Sequence, residues 1–354
     1  MRKTPWSVVL LVALIAVLAS PSGALASFGG TDGKIVFSRS GDGAGIYVMN
    51  RGGGGLLRIA RGNSSGPSWS PDGSQIAFVR WHRDGSTRLK VMDAVGSNAH
   101  PVGTSSQGMT QGCALQSPMW SYDGLYLLYR DDCFDQRPRV AQLRIVSADG
   151  TGSLDLTDYA NANFYSVQPW SPDLENGSEI VFSGNRGTDQ ALYLMNSDGS
   201  DVRLLVDGTG DDFAAVWSPA GTTIAYSEQT IDDAGDPTNS LWTVSPPGSP
   251  DLLLEGSPHI TEPQWSPDGS MLLFNRRDYY GTPTASILDL ATMDETSLSP
   301  GFDASVATWA PAGTAILFSK GGNIVRYRLS DGAIRKLTTG SAYDGAPDWQ
   351  ARQP

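Results

Sequence analysis

Few residues in this 354-residue chain have the type and spacing that chemistry needs. Gly62-Asn-Ser-Ser-Gly66 spells the letters of a nucleophile elbow. An elbow requires a strand before its serine and a helix after it. Here the following residues read as another strand, so Ser64 is not expected to act as a nucleophile. His82, His100 and His259 are the only histidines and lie far apart, which is not the convergent imidazole set of a lyase-like metal centre. Asp207-Gly-Thr-Gly-Asp-Asp212 offers oxygen ligands to calcium without the full pattern of a calcium loop. No cofactor is therefore expected, calcium being the single candidate. Asp211, Asp212 and Glu262 are the acids that could do acid–base work if the fold brings them to one cleft.

The elements that must position these residues form a repeat. Trp69, Trp120, Trp170, Trp217, Trp265, Trp309 and Trp349 recur at spacings of 51, 50, 47, 48, 44 and 40 residues. The fullest copy runs Pro67-Ser-Trp-Ser-Pro-Asp-Gly-Ser-Gln-Ile-Ala-Phe78. Ser-Pro-Asp-Gly is turn chemistry: proline presets one backbone angle, aspartate bonds locally and glycine takes the positive-φ corner. The tryptophan strand and the Ile-Ala-Phe strand should pair across that turn. A third strand (Ile46-Tyr-Val-Met49) and a short fourth (Val202-Arg-Leu-Leu205) follow in the repeat. The triplet is apolar on both faces, so both faces of each small sheet should be buried, as in radially stacked four-stranded blades.

The ends of the chain complete each other. The repeats begin at Ile35-Val36-Phe37 with no tryptophan strand before them, and finish on Pro347-Asp-Trp-Gln350 with no triplet after it. The expected fold is an all-β, seven-bladed propeller, closed by pairing of the C-terminal strand with the N-terminal blade. Arg2 and Lys3, the apolar run Val8 to Leu18 and Ala24-Leu25-Ala26 read as a signal peptide over residues 1–26. Residues 27–354 then form a single domain.

The motif Pro-x-Trp-Ser-Pro-Asp-Gly-x-x-Ile-Ala-Phe, followed by Ile-Tyr-Val-Met-Asn and an Asp-Gly turn, resembles the TolB-like (WD-repeat-like) β-propeller repeat family over about residues 33 to 350. The resemblance implies the propeller fold. It leaves function open, because similar blades occur in the periplasmic Tol protein, in prolyl-oligopeptidase-type peptidases and in oligogalacturonate lyases. The motif tryptophans should pack between blades, and the motif aspartates should fix turns.

Function must then come from what varies between repeats, which is the loops. Short turns fall on one face of the ring and long irregular loops on the other. The long loops carry Trp81, Arg83, Phe134, Arg137, Tyr165, Arg186, Arg276, Arg277, Tyr279 and Tyr280. Aromatics with arginine are the composition of binding hot spots. A net charge of -12 argues against nucleic acid as a partner. The expected protein is a monomeric, secreted or periplasmic propeller, not integral to a membrane, that binds an envelope or extracellular protein or peptide without catalysis. The alternative is a hydrolase or lyase on an extracellular saccharide or peptide, with Asp211, Asp212 and Glu262 at the channel mouth. In an oxidising compartment the only two cysteines, Cys113 and Cys133, are expected to form a disulfide.

Overall fold

A computed structural model describes residues 29–103, 113–115, 118–133, 140–156, 170–172, 178–186, 189–256, 260–276, 284–298 and 307–352. Strands form seven antiparallel sheets, and no helix occurs among the described residues. The predicted signal peptide lies outside them. No described helix is long and apolar enough to cross a membrane.

The sheets are the blades of a propeller. From the innermost strand outward, blade two is Ser64–Trp69, Gln75–Trp81, Thr87–Asp93 and His100–Pro101. Blade five is Asp211–Trp217, Ile224–Ile231, Pro237–Val244 and Pro250–Leu254, and blade six is Ile260–Trp265, Met271–Arg276, Thr284–Asp289 and Glu295–Ser297. Blade seven is Thr308–Trp309, Ala315–Lys320, Asn323–Arg328 and Ile334–Lys336. Blade three splits its innermost strand into Cys113–Leu115 and Met119–Trp120. Blade four contributes Glu179–Arg186, Asp189–Asn196 and Arg203–Val206, with Trp170 bridging to Ile180 on its inner side. Blade one is assembled from both ends of the chain: Tyr343–Arg352 pairs antiparallel with Thr31–Ser40, followed by Gly45–Asn50 and Leu57–Arg61.

Alternation along each second strand explains how the ring is held. Ile35 and Phe37 enter the apolar core shared with blade seven, while Val36 between them enters the core shared with blade two. Ile76 and Phe78 face blade one, and Ala77 faces blade three. The core is thus seven seams rather than one centre, and each motif tryptophan sits in the seam with the preceding blade. Two of them also bond across it. The Trp120 indole donates to Ser68 O and the Trp265 indole to Val216 O, both at 3.1 Å.

The turns follow their chemistry. Asp72 accepts from the Ser70 hydroxyl (2.6 Å) and Ser74 N (3.0 Å), and Gly73 takes φ +69. Burial pushes the Asp72 carboxyl up, but the bonds from Ser70 and Ser74 outweigh it and leave it below its ordinary value. Closure has its own polar pin. Buried Asp348 accepts Trp69 N (2.7 Å) of blade two and Trp349 N (2.8 Å) of its own strand. Burial nevertheless raises its carboxyl to about 7, against the opposing bonds from Trp69, Trp349 and Thr308.

Candidate functional site

One position compares all seven blades at the long-loop end of the ring. Two residues beyond the triplet aromatic stand Arg39, Arg80, Asp131, Gly184, Glu228, Arg276 and Lys320. Four are basic, and the three arginines each lie over the ring two residues back, with the guanidinium carbon 5.6–5.8 Å from the Phe37, Phe78 and Phe274 centroids. Arg39 bonds Asp344 through two nitrogens, at 2.5 and 2.8 Å. Arg276 does the same with Glu295, both at 2.6 Å. Arg80 donates to Arg61 O. Asp131, the acid of blade three, lies 3.9 Å from Arg144.

Blade five departs from this scheme. Glu228 stands directly opposite Asp212 in the ladder of the first two strands. Asp212 is fully buried and Glu228 is 7% exposed. The preceding loop caps them with backbone donors: Gly208 N to Asp212 Oδ2 (2.9 Å) and Thr209 N to Glu228 Oε1 (3.0 Å). The sequence dictates this close approach. A Cβ on Gly208 would lie 2.5 Å from Glu228 Oε1 and 3.0 and 3.1 Å from the two Asp212 oxygens. A side chain here would have to push the carboxyls aside, and three carboxyl oxygens converge on that point. Asp212 Oδ1 is buried without a hydrogen-bond partner among the described residues. Asp211, one residue earlier, turns to blade four and accepts Gln190 N at 2.8 Å.

The electrostatics follow from burial without a counter-charge. Burial raises the Asp212 carboxyl to about 7; the bond from Gly208 opposes this, and the charges of Glu228 and Asp211 add to it. Burial, then the Asp212 and Glu228 charges, also raise the Tyr226 hydroxyl, which stays protonated. Near neutral pH Asp212 therefore exchanges a proton easily, and its buried Oδ1 has no partner among the described residues. It can donate or accept a proton, or it can receive a cationic group. The loop of residues 207–212 differs from a calcium loop in a specific way: the backbone groups that meet the carboxyls are N–H donors, not carbonyl oxygens. No group of three or more His, Cys, Asp or Glu suited to a metal occurs among the described residues.

The acids singled out from sequence separate in part. Asp211 and Asp212 share a strand, and Asp212 gains Glu228. Glu262 sits half-buried in the innermost strand of blade six, at a bulge with φ +58. Ser64, the candidate elbow serine, lies on the first strand of blade two and bonds Gly62 O at 3.2 Å; a second strand follows it, not a helix. Of the predicted loop-face residues, Trp81 is half-buried and its indole donates to Ser65 Oγ at 2.9 Å. Arg83 is exposed in the turn after it. Arg276 is half-buried and held by Glu295. Arg186 ends a strand of blade four, with its side chain outside the description. Phe134, Arg137, Tyr165, Arg277, Tyr279 and Tyr280 lie outside the described residues. Cys113 and Cys133 stand directly opposite each other in blade three. Glu228 was not anticipated. Comparing the residue two places after each aromatic would have found it as an acid where most blades carry a base.

Comparison with known proteins gives the family of these repeats. A family model described as TolB beta propeller domain matches residues 114–327. The chain is 24% identical over 314 residues to dipeptidyl-peptidase 5 of Porphyromonas gingivalis, covering 83% of this chain but 43% of the peptidase. Among solved structures, TolB from Acinetobacter baumannii aligns with TM-score 0.58 at 16% identity, covering 90% of this chain and 82% of that one. An oligogalacturonate lyase in complex with manganese aligns with TM-score 0.64 at 13% identity, covering 94% and 90%. At such identities the structural likenesses show the fold alone. They include a protein named for the Tol system and an enzyme on the same architecture.

Proposed function

Because the chain belongs to the TolB beta propeller family, whose fold serves binding proteins and enzymes alike, we propose that it works as an exported binding propeller. Its long-loop face takes up a cationic group of a protein or peptide partner at the cell envelope. The observation that carries this reading is the Asp212–Glu228 pair: two buried carboxyls, convergent oxygens, and one oxygen with no partner among the described residues. Buried charges are retained when they are paired, and here the missing partner is a cation. A lysine ammonium or an arginine guanidinium supplies donors to Asp212 Oδ1 and offsets one of the two charges of the ionised pair.

Binding has a proton signature. A cation favours the ionised pair and so expels the proton that Asp212 holds with its carboxyl near 7. Peptide arrays that differ only in lysine or arginine against norleucine or citrulline should show enrichment of the cationic members. The double variant Asp212→Asn, Glu228→Gln should abolish that enrichment. Calorimetry of a cationic hit at about pH 7 should show a heat that depends on the buffer's ionisation enthalpy. Equal binding of neutral and cationic peptides, or hits retained by the double variant, would overturn the reading.

A hydrolase or lyase remains the second reading, carried by the Asp212 carboxyl near 7, a value suited to general acid–base catalysis at neutral pH. Turnover of oligosaccharide or peptide substrates that is lost in Asp212→Asn would select it. Export also bears on the cysteines. We propose a Cys113–Cys133 bridge across the directly opposed positions of blade three, closing a loop of about 20 residues with a stabilisation of roughly 3 kcal/mol on the chain-entropy account. Intact mass without reductant should be about 2 Da below the fully reduced mass.

A further inference from the structure

A second charged site lies at the opposite end of the ring, on the short-turn face, in the seam between blades seven and one. It is a cleft of about 490 Å³ whose lining includes Asp32, Thr314, Arg326, Arg328, Ser330 and Trp349. Arg326 and Arg328 are alternate residues of the strand Asn323–Arg328, so both side chains leave the same face of that sheet. Arg326 is half-buried and stands opposite Arg335 on the next strand. No carboxylate lies within ion-pair distance of it among the described residues; its hydrogen bond goes to Arg51 O, at 3.4 Å. Arg328 is tied to Asp331 (2.9 Å) by an exposed pair that a ligand can displace. Burial, then the charges of Arg328 and Arg335, lower the Arg326 guanidinium; Asp32 opposes them and Arg51 adds to them. In a chain of net charge -12 this is a local excess of positive charge.

The fold does not require it. Another cleft on this face, between blades two and three, about 690 Å³, is lined by Gln75, His100, Tyr126, Ser147 and Asp149 among others, with no arginine. There His100 bonds Asn98 O and Ala148 O. Paired arginines flanked by hydroxyls are what a phosphoryl oxyanion calls for, since guanidinium donors match its oxygens. Asp32, which accepts Ala312 N at 3.1 Å, lines the same cleft. A bare polyanion would meet its charge, whereas a ligand with a hydroxyl beside the phosphoryl group can donate to it.

We propose that this cleft binds a phosphate ester of a polyol, with Arg326 and Arg328 on the phosphoryl oxygens and Asp32 accepting from a neighbouring hydroxyl. The volume falls in the range of small-ligand sites, and a single phosphoryl group suits a chain too acidic overall for an extended polyanion. The site is independent of the carboxyl pair on the other face.

Calorimetric titration of the protein with glycerol 3-phosphate at low salt should give saturable binding, with a dissociation constant on the order of 1 mM or tighter. Inorganic phosphate should bind more weakly, and glycerol not at all. Arg326→Gln should weaken glycerol 3-phosphate binding at least tenfold. Arg328→Gln, an exposed change that leaves the fold alone, should weaken it severalfold, with thermal melting as the folding control. Phosphatidylglycerol and phosphatidylcholine vesicles distinguish the sources. Sedimentation with the first only, lost in Arg326→Gln, assigns a lipid headgroup; binding of the soluble ester alone assigns a small metabolite-sized ester. Absence of saturable binding to ester, phosphate and vesicles alike, or binding unchanged in both variants, would overturn the proposal.

Discussion

Asp344 and Asp212 stand five residues before Trp349 and Trp217, on the innermost strands of blades one and five. Each faces a second-strand residue two places beyond the triplet aromatic. In blade one that residue is Arg39, and in blade five it is Glu228. Both aspartates are buried to within 2% of full burial. The first has a two-nitrogen guanidinium partner, and its bond holds Arg39 more firmly protonated than usual. The second has a like charge opposite it, two backbone N–H caps on the pair and an acceptor with no partner among the described residues. The same backbone position therefore supports either a closed ion pair or an open acid pair. The closed pair sits where the two ends of the chain must stay together. The open pair sits in a blade that the chain builds continuously, where closure does not depend on it.

Breaking the closed pair should have the largest effects. Deleting residues 341–354 removes the strand Tyr343–Arg352, and with it the inner edge of blade one, the Trp349 seam and Asp344. The cooperative melting transition should be lost, or lowered by well over 10 °C, because several buried contacts go together. A truncated protein that melts within a degree or two of full length would remove the structural role assigned to blade one. Asp344→Ala is the finer cut. It leaves the Arg39 guanidinium without its buried partner, and breaking such a pair costs about 3 kcal/mol. Denaturant unfolding should show this as a lower midpoint at unchanged slope. The equivalent change in blade five, Asp212→Ala, removes a repulsion and should cost far less.

The contrast between these blades was only half legible in the sequence. The ring, its seven-fold count and its closure follow from tryptophan spacing, turn residues and the complementary ends, because hydrophobic alternation and Ser-Pro-Asp-Gly chemistry act over a few residues and repeat. Asp212 was singled out as an acid. Its partner Glu228 lies 16 positions away and meets it only through strand register, which no local pattern reports. Arg276 illustrates the reverse. It reads as a binding-face arginine, yet Glu295, two strands outward in its own blade, already holds it. Charge pairing across strands decides which polar residues are free for function, and it becomes visible only when the repeats are stacked.

The open pair should be visible in the pH dependence of stability. Asp212 has an ordinary carboxyl value of 3.8 when unfolded and about 7 when folded. Between those values the folded protein holds a proton that the unfolded chain releases, so stability falls as pH rises from about 4 to about 7. A rise of that size sets an upper bound of about 4 kcal/mol for this group. Asp348 titrates in the same window and the same direction, so the decline should be reduced rather than abolished in Asp212→Asn. That variant should match wild type near pH 4 and exceed it by about 1–2 kcal/mol near pH 8. If it is less stable than wild type at both pH values, the pair is a structural asset and not an unfilled site.

The smallest expected effect concerns Glu262, the acid of the neighbouring blade. Three residues before the tryptophan, the innermost strands bulge, and the residue there takes a left-handed backbone: Gly66 at φ +55, Ala214 at +56, Glu262 at +58 and Ala346 at +47. A residue with a Cβ pays about 1 kcal/mol for this conformation, and glycine does not. Blade two uses glycine, and blades one and five use the smallest side chain after it. A glutamate at the same bulge retains the strain and adds side-chain entropy, which is a reason to look for what its carboxyl does. Glu262→Gly should therefore be more stable than Glu262→Ala by about 0.5–1 kcal/mol, because both lose the carboxyl and only alanine keeps the strain. The reciprocal change Gly66→Ala should cost about the same amount in blade two. If Glu262→Gly and Glu262→Ala lose stability equally, the carboxyl's own contacts outweigh the backbone and Glu262 is a structural residue of blade six. If glycine stabilises while binding of a cationic peptide weakens, Glu262 joins Asp212 and Glu228 as a functional acid that the fold would be more stable without.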